Sequence, residues 1–536
     1  MREVPDTADA NVDQSPTAGP AWVGDWSARR ARLSPETVGL VDATTGREFT
    51  YRELDDRANR AARLLAEYGV VDGGRVATLS RNRPELVDLF FATGKVGGAF
   101  APLSHRLAPP ELASLLETVD PELVVAEPRF ADALDAALDH GHSTAEPSVL
   151  LVTGDSAAEP SPPFDTYGDS LPDDTSPVEG PAVTLDDTHL LLHTGGSTGV
   201  PKETIIPHRA VYWNAVNTIT GWGLGPDDTT VMPFPMFHTG GWNVLTVPLF
   251  HVGGTVVIAR EFDPGQVLEL VDDHHASLLV AVPAVLRMMV EHDDWGAADL
   301  SSLRLVKSGG GPCREGVMQS WWDRGIDLSQ GYGLTECGPN NFAMPDDWRH
   351  EKAASVGVPN LHVDVRIVDD DGNTLPGGEV GELELSGPHA AIGYLDESEE
   401  TEATFGGGWV STGDLARVDA DGYYHIEGRK KNLFVSGGEN VYPPEVEDAI
   451  ADHQLVADVV VIGVPDERWG TVGKAVVELV ADAESSDLTL DDLHGFLDGR
   501  LARFKLPRHL AFVGEMPTSG PSKIDRDAVR DRFGAD

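Results

Sequence analysis

Apolar residues Leu54, Ala58, Ala61 and Leu65 recur at the spacing of one helix face, directly after Thr50 and Glu53, whose three-residue offset is a helix start signal. The period then shortens. Arg75 to Leu79 reads as a strand, Pro84 to Val96 as a second helix and Ala99 to Leu103 as a second strand. Such alternation predicts a sheet covered by helices. A second alternating block runs through Val231, Val256 to Ile258, Leu278 to Val282 and Leu303 to Lys307, and the apolar run Thr188 to Leu192 reads as a further strand.

Residues 154 to 181 lack a period and are rich in Pro, Asp, Ser and Gly, which predicts an exposed acidic loop. A domain boundary there is disfavoured, because the alternation resumes without a new module. Beyond Lys430 and Lys431 the pattern becomes a small α+β one: a helix near Pro444, strands Val459 to Val464 and Ala475 to Val480, a helix from Asp491 and a last strand near Leu510. The expectation is an α/β chain with a large multi-sheet domain over residues 20–430 and a small α+β domain over 431–536.

Composition narrows the possible partners. The 536 residues exceed one ordinary core, and 41% are hydrophobic, enough for a folded protein. Against 88 acidic residues stand 40 basic ones, a net charge of −48. That balance opposes nucleic acid and anionic membrane surfaces. Acidity spread along the whole chain fits a halophile's cytosolic enzyme, since at 1 M salt the Debye length falls to about 3 Å and self-repulsion is screened. Only Cys313 and Cys337 occur, so no disulfide framework is expected. No apolar leader and no run of about 18 apolar residues is seen, so a soluble, cytoplasmic protein without a membrane span is expected.

The segment His193 to Lys202, HTGGSTGVPK, carries the first chemistry. Thr194, Gly195, Gly196, Ser197, Thr198 and Gly199 are small residues that let backbone N–H groups close around an anion, two kinds of hydroxyl add donors, and Lys202 adds positive charge. Gly195, Ser197 and Gly199 also spell the nucleophile elbow of hydrolases, but an elbow runs into a helix, and Pro201 with the β-branched run Thr204 to Ile206 argues against one. A Walker A loop needs Lys directly after its last glycine, whereas Val200 and Pro201 intervene. This is a different phosphate loop.

Four more segments follow: QGYGLTE at 330–336, WVSTGD at 409–414, GRKKNLFVSGGENVYPPEVE at 428–447, and SKIDR around Lys523. With the phosphate loop, this ordered series resembles the adenylate-forming superfamily of acyl- and aryl-CoA synthetases, peptide-synthetase adenylation domains and beetle luciferases. The resemblance spans about Trp22 to Arg526. It implies the adenylate-forming fold, with a mobile C-terminal domain, and an ATP-dependent acid:CoA ligase using ATP, Mg²⁺ and coenzyme A on a carboxylic acid. A homodimer is compatible with it.

The resemblance also assigns roles. The phosphate loop would hold the β- and γ-phosphates, which matters in a chain whose net charge repels free ATP at long range. Thr335 would touch phosphate, Glu336 would bind Mg²⁺, Tyr332 would stack on adenine within the motif Gln330, Gly331, Tyr332 and Gly333, and Asp414 with Arg429 would hold the ribose. Lys523 would bridge the carboxylate and the α-phosphate during adenylation; Ser522 stands where the family usually has Gly. Lys431 occupies a hinge position, about which rotation would withdraw Lys523 and bring in Ser436, Gly437, Gly438 and Glu439 for thioester formation. Trp469 and Phe504 match positions that contact the CoA adenine, core packing being the competing reading. His238 resembles the residue at the mouth of the acyl pocket, and Gly309, Gly310 and Gly311 its wall. A fatty or other apolar acid is the leading substrate expectation, with an aryl or succinylbenzoate ligase next; an amino-acid adenylating enzyme or a non-catalytic nucleotide-binding protein is disfavoured.

Overall fold

In the computed structural model, the described residues are 22–140, 147–152, 165–194, 202–436, 439–466, 468–481, 483–519 and 523–534. The first helix predicted from the pattern spans Tyr51–Glu67 and starts where its signal stands: Thr50 Oγ1 accepts from the Glu53 N–H and Glu53 Oε2 from the Thr50 N–H at 2.8 Å. Leu54, Ala58, Ala61 and Leu65 are all buried on its inner face. Strand Arg75–Leu79, helix Pro84–Val96 and strand Ala99–Leu103 also form as read. Helix Pro84–Val96 is buried on every side, and its Lys95 is accommodated by ion pairs to Asp25 and, at 2.8 Å, Asp55.

Two seven-stranded sheets hold the larger part of the chain. In one, the strands Leu328–Gln330, Leu305–Ser308, Leu278–Ala281, Thr229–Met232, Thr255–Ile258 and Val38–Asp42 are adjacent and parallel, closed by the antiparallel edge Arg47–Thr50. In the other, parallel strands Ala99–Leu103, Arg75–Leu79, Leu123–Ala126 and Ser148–Leu151 are extended by Thr188–Thr194, then by Lys202–Pro207 antiparallel to it, and last by Gly393–Tyr394 antiparallel to Lys202–Pro207. One continuous core joins them: Leu40 and Val256 of the first sheet, Val76 and Phe100 of the second, and Leu54 and Phe90 of the helices between.

An antiparallel sheet of Asp364–Val368, Gly381–Ser386, Val410–Val418 and Tyr424–Arg429 follows. A last sheet is built only from later residues: Phe434–Ser436, Glu439–Val441, Val456–Asp466, Gly470–Leu479 and His509–Val513. Helices Pro443–Ala451 and Leu490–Leu497 pack on it.

The described end of the 154–181 segment is largely exposed, as expected, yet it is anchored: helix Tyr167–Ser170 buries Tyr167 at 1% exposure, and the Pro172 and Thr175 carbonyls accept from Arg60 Nε at 2.6 Å and Asn59 Nδ2 at 3.1 Å. Its polar composition hides one anchoring ring and a backbone tied to the helix Tyr51–Glu67.

Among the described residues no helix is long and apolar enough to cross a membrane. A net charge of −48 repels itself across the fold, and salt screens that repulsion. We expect both the melting temperature and activity to rise steeply from dilute buffer to about 1 M KCl, where the Debye length is about 3 Å. An unchanged melting temperature by circular dichroism, with full activity in dilute buffer, would refute this.

Candidate active site

Thr194 and Lys202 face each other as the last paired rung of two antiparallel strands, Thr188–Thr194 and Lys202–Pro207. The chain returns as a strand and not as a helix, which disposes of the nucleophile elbow. Gly195, Gly196, Ser197, Thr198 and Gly199 themselves lie outside the described residues.

Lys202 is not bare. Its Nζ lies 3.2 Å from Glu400 Oε1, on the acidic helix Ser398–Phe405, and 5.5 Å from the centre of the Tyr394 ring. Tyr394 arrives because the strand Gly393–Tyr394 pairs with Lys202–Pro207, and its hydroxyl donates to Glu336 Oε1 at 2.8 Å. Thr335 and Glu336 occupy a 3₁₀ turn, fixed where the Ala391 N–H donates to the Glu336 carbonyl at 2.9 Å. One aromatic ring thus joins the predicted phosphate-binding lysine to the predicted metal ligand.

A second cluster forms around Asp414, which is 6% exposed. Asp414 and Arg429 are cross-strand partners, with Arg429 Nε 2.9 Å from Asp414 Oδ1, while the Tyr332 hydroxyl donates to Asp414 Oδ2 at 2.6 Å. Burial, and then the Asp414 charge, hold the Tyr332 phenol well above its usual range. Of the motif around Tyr332, Gln330 uses its amide on the chain itself, accepting from the Cys313 N–H at 3.0 Å and donating to the Ala353 carbonyl at 2.9 Å. The Gly331 N–H donates to the Ser308 carbonyl at 2.7 Å, and a side chain at Gly333 would lie 2.2 Å from the Pro339 backbone. These three residues shape the turn that presents Tyr332.

The loops at 233–238, 309–311 and 331–336 leave the carboxyl ends of parallel strands of the first sheet, where open α/β sheets take ligands. At Gly309 and Gly311 the space a Cβ would take is open, and Gly310 has φ +84°, a conformation that favours glycine. The half-buried His238 ring is centred 4.5 Å from Phe237 and 6.0 Å from His193.

In the later part of the chain, Lys431 Nζ pairs with Asp527 at 3.1 Å in the turn Lys430–Asn432. Ser436 is buried and Glu439 exposed; Gly437 and Gly438 lie outside the described residues. Core packing does not explain Trp469 and Phe504, which are 37% and 36% exposed and flanked by Arg468, Arg508 and Lys505. Lys523 stands in a two-residue strand paired with Thr518–Ser519, and Ser522 is outside the described residues. A seam joins the two parts: Arg314 Nη2 meets Asp458 Oδ1 at 2.6 Å, and the Ala457 carbonyl accepts from Arg314 at 2.9 Å and Arg287 at 3.3 Å.

Tyr394 and Glu400 were not read from the sequence, nor was Lys307. The Lys307 ammonium is buried behind Gly309, donating to Ser329 Oγ at 3.2 Å above the Trp222 ring, and burial pushes it down to about 8. A charged residue inside an otherwise apolar strand was the available signal.

The donor set suits Mg²⁺. Among the described residues there is no group of three or more His, Cys, Asp and Glu side chains able to hold a metal. A single carboxylate, Glu336, matches an ion that completes its shell with water and phosphate oxygens.

This frame of phosphate hairpin, carboxylate–arginine rung and separate C-terminal sheet is that of the adenylate-forming enzymes, and comparison with known proteins agrees. The family profile "AMP-binding enzyme" matches residues 27–395 and "AMP-binding enzyme C-terminal domain" matches 445–523. The chain belongs to the AMP-binding enzyme family. A feruloyl-CoA synthase of Amycolatopsis sp is 38% identical over 96% of this chain and 99% of its own, and a long-chain-fatty-acid–CoA ligase of Mycobacterium tuberculosis 31% over 95% and 98%. The structure of ATP-bound MatB from Rhodopseudomonas palustris superposes with a TM-score of 0.84 at 28% identity, covering 95% of this chain and 99% of that one; its apo form, at the same coverage and identity, gives 0.75.

Proposed function

We propose that this chain is an AMP-forming acid:CoA ligase: it joins a carboxylic acid to AMP with release of pyrophosphate and then transfers the acyl group to the thiol of coenzyme A. The observation that carries this reading is the convergence of Lys202, Tyr394 and Glu336 on one side and Tyr332, Asp414 and Arg429 on the other.

Each group has a task its chemistry fits. Thr194 and Lys202 bind the triphosphate, which displaces Glu400 from Lys202. Asp414, buried and paired with Arg429, accepts hydrogen bonds from the ribose hydroxyls, and Tyr332 presents its ring beside them. Glu336 would hold Mg²⁺, whose charge neutralises the departing pyrophosphate. Lys523 aligns the carboxylate with the α-phosphorus. The domains divide near Lys430 and Lys431, and rotation at Lys431 exchanges Lys523 for the segment from Ser436 to Glu439. Trp469 and Phe504, both accessible, receive the CoA adenine. Acidic surfaces and a site for small anionic ligands fit a cytoplasmic enzyme.

For the acid, the glycine wall at 309–311 and His238 support an apolar monocarboxylate. The higher identity to a feruloyl-CoA synthase than to a fatty-acid ligase favours one bearing an aromatic ring over the plain alkanoate expected from sequence. The decisive experiment is pyrophosphate exchange across a panel of aryl and alkyl acids. Turnover of arylpropenoates and arylacetates should exceed that of any alkanoate. If instead kcat/KM climbs about fourfold per methylene, the factor for about 0.8 kcal/mol, and then breaks, the enzyme is a fatty acid ligase. No exchange with any carboxylic acid would refute the ligase itself.

A further inference from the structure

Directly behind the predicted triphosphate site lies a pair of ionisable side chains that this mechanism does not use. His193 and Glu203 are cross-strand partners on the rung next to Thr194 and Lys202. Both are buried, Glu203 completely, and His193 Nδ1 lies 3.9 Å from Glu203 Oε1. Neither Glu203 oxygen has a hydrogen-bond partner among the described residues, nor has His193 Nδ1. Two rungs further, on the same face, Leu191 and Ile205 fill the core as that position demands. A purely structural site would be apolar, since a buried carboxyl left without a partner is destabilising.

We propose that Glu203 is a positioning residue for ATP: as a neutral acid its hydroxyl donates a hydrogen bond to His193 Nδ1, fixing the rung that spaces Thr194 and Lys202, and the enzyme binds ATP only while Glu203 is uncharged. The proposal rests on Thr194 and Lys202 being part of the triphosphate site. The bond asks for one unprotonated imidazole nitrogen and one protonated carboxyl. Burial supplies both, pushing His193 down to about 4 and Glu203 up to about 8. The 3.9 Å separation is too long for a hydrogen bond, so the pair closes by a small torsional change.

An ionised Glu203 would lack a counter-ion. Packed around its strand are Glu111 and Glu117 of the helix Pro109–Val119, His208 and Arg209 of the helix His208–Trp222, Glu336 and Cys337 of the 3₁₀ turn, and Tyr394 of the edge strand. None of them shifts Glu203, whose displacement arises from burial alone. Lys202, its chain neighbour, leaves the opposite face of the strand and is paired with Glu400. A carboxylate here and a triphosphate at Lys202 would be like charges across a low-dielectric wall, so each disfavours the other. By linkage, ATP binding must then take up a proton near the Glu203 midpoint.

Calorimetric titration of MgATP, without acid or CoA, tests this from pH 6.5 to 9.5 on the whole chain. The unsubstituted protein is expected to lose affinity above pH about 8, by up to about tenfold per pH unit, and at pH 8 to show a binding enthalpy that varies with the ionisation enthalpy of the buffer. Glu203→Gln, which still donates but does not ionise, should bind as the parent does at pH 7 and abolish both effects. Glu203→Leu, which fills the space without a donor, should melt no lower than the parent yet bind ATP several-fold more weakly at every pH. An alkaline loss that persists in Glu203→Gln would assign the titration elsewhere, Lys307 being the other group near 8, and overturn the proposal. So would parental affinity in Glu203→Leu. Absence of ATP binding by the parent would remove the adenylating reading along with it.

Discussion

Lys523→Ala is expected to slow acyl-adenylate formation by about 10²–10³-fold, the loss found when one preorganised donor to a developing oxyanion is removed. The strand of Lys523 pairs with Thr518–Ser519, the Asp525 N–H donates to the Pro517 carbonyl at 2.8 Å, and Asp525 caps the helix Arg526–Phe533. That helix is tied to Pro443–Ala451 by the Arg526–Glu447 pair, with Nη1 2.6 Å from Oε1. Burial alone would lower the Arg526 pKa, but Glu447 outweighs it and the guanidinium is raised. Stopped-flow pyrophosphate release measures the first step. Thioester formation from supplied acyl-AMP and CoA should be little changed. Equal losses in both steps would show that Lys523 does something other than align the first reaction.

Lys431→Pro is expected to separate the two steps in the opposite sense. Lys431 lies inside the 3₁₀ turn Lys430–Asn432, whose backbone angles suit the proline φ of about −65°, so the present arrangement accepts the substitution and rotation away from it does not. This arrangement follows the ATP-bound form of MatB, at TM-score 0.84, more closely than the apo form, at 0.75. The variant should therefore retain adenylate formation and lose thioester synthesis by at least about tenfold if rotation gates that step. CoA thiol consumption beside pyrophosphate release gives the answer. Should both steps slow alike with the circular dichroism spectrum intact, the hinge lies elsewhere.

The parts of this molecule legible in its sequence are those encoded within a short stretch of chain. The helix Tyr51–Glu67 carries its start signal and its inner face within one window, and the strand and helix that follow it formed at the residues read for them. The phosphate segment announced itself by composition. What escaped depends on distant pairing. Tyr394 and Glu400 reach Lys202 across nearly two hundred residues because the edge strand Gly393–Tyr394 joins the second sheet, an event no local period records. Tyr332 meets Asp414 in the same way, so the residue read as an adenine platform is also a hydrogen-bond donor to the ribose carboxylate. The sheet between Asp364 and Arg429 was not read as a unit. The segment after residue 165 is mostly exposed, as its polar composition predicts, and only its anchor, the buried Tyr167, left no local signal. Glu203 looked like one more acid among 88, and only its burial distinguishes it.

If Lys202 binds the triphosphate as proposed, its contact with Glu400 sets the terms on which the nucleotide enters. A lysine that binds phosphate in a chain of such negative charge would otherwise attract whatever dissolved anion the cell supplies most abundantly. Because the fold already holds a carboxylate against it, an incoming anion must offer more than one unit of charge and more than one accepting oxygen to gain anything by displacing Glu400. Chloride and a lone carboxylate offer no such surplus, whereas a triphosphate does. On that reading the acidic helix Ser398–Phe405 would act as a reference ligand, against which the site ranks its visitors.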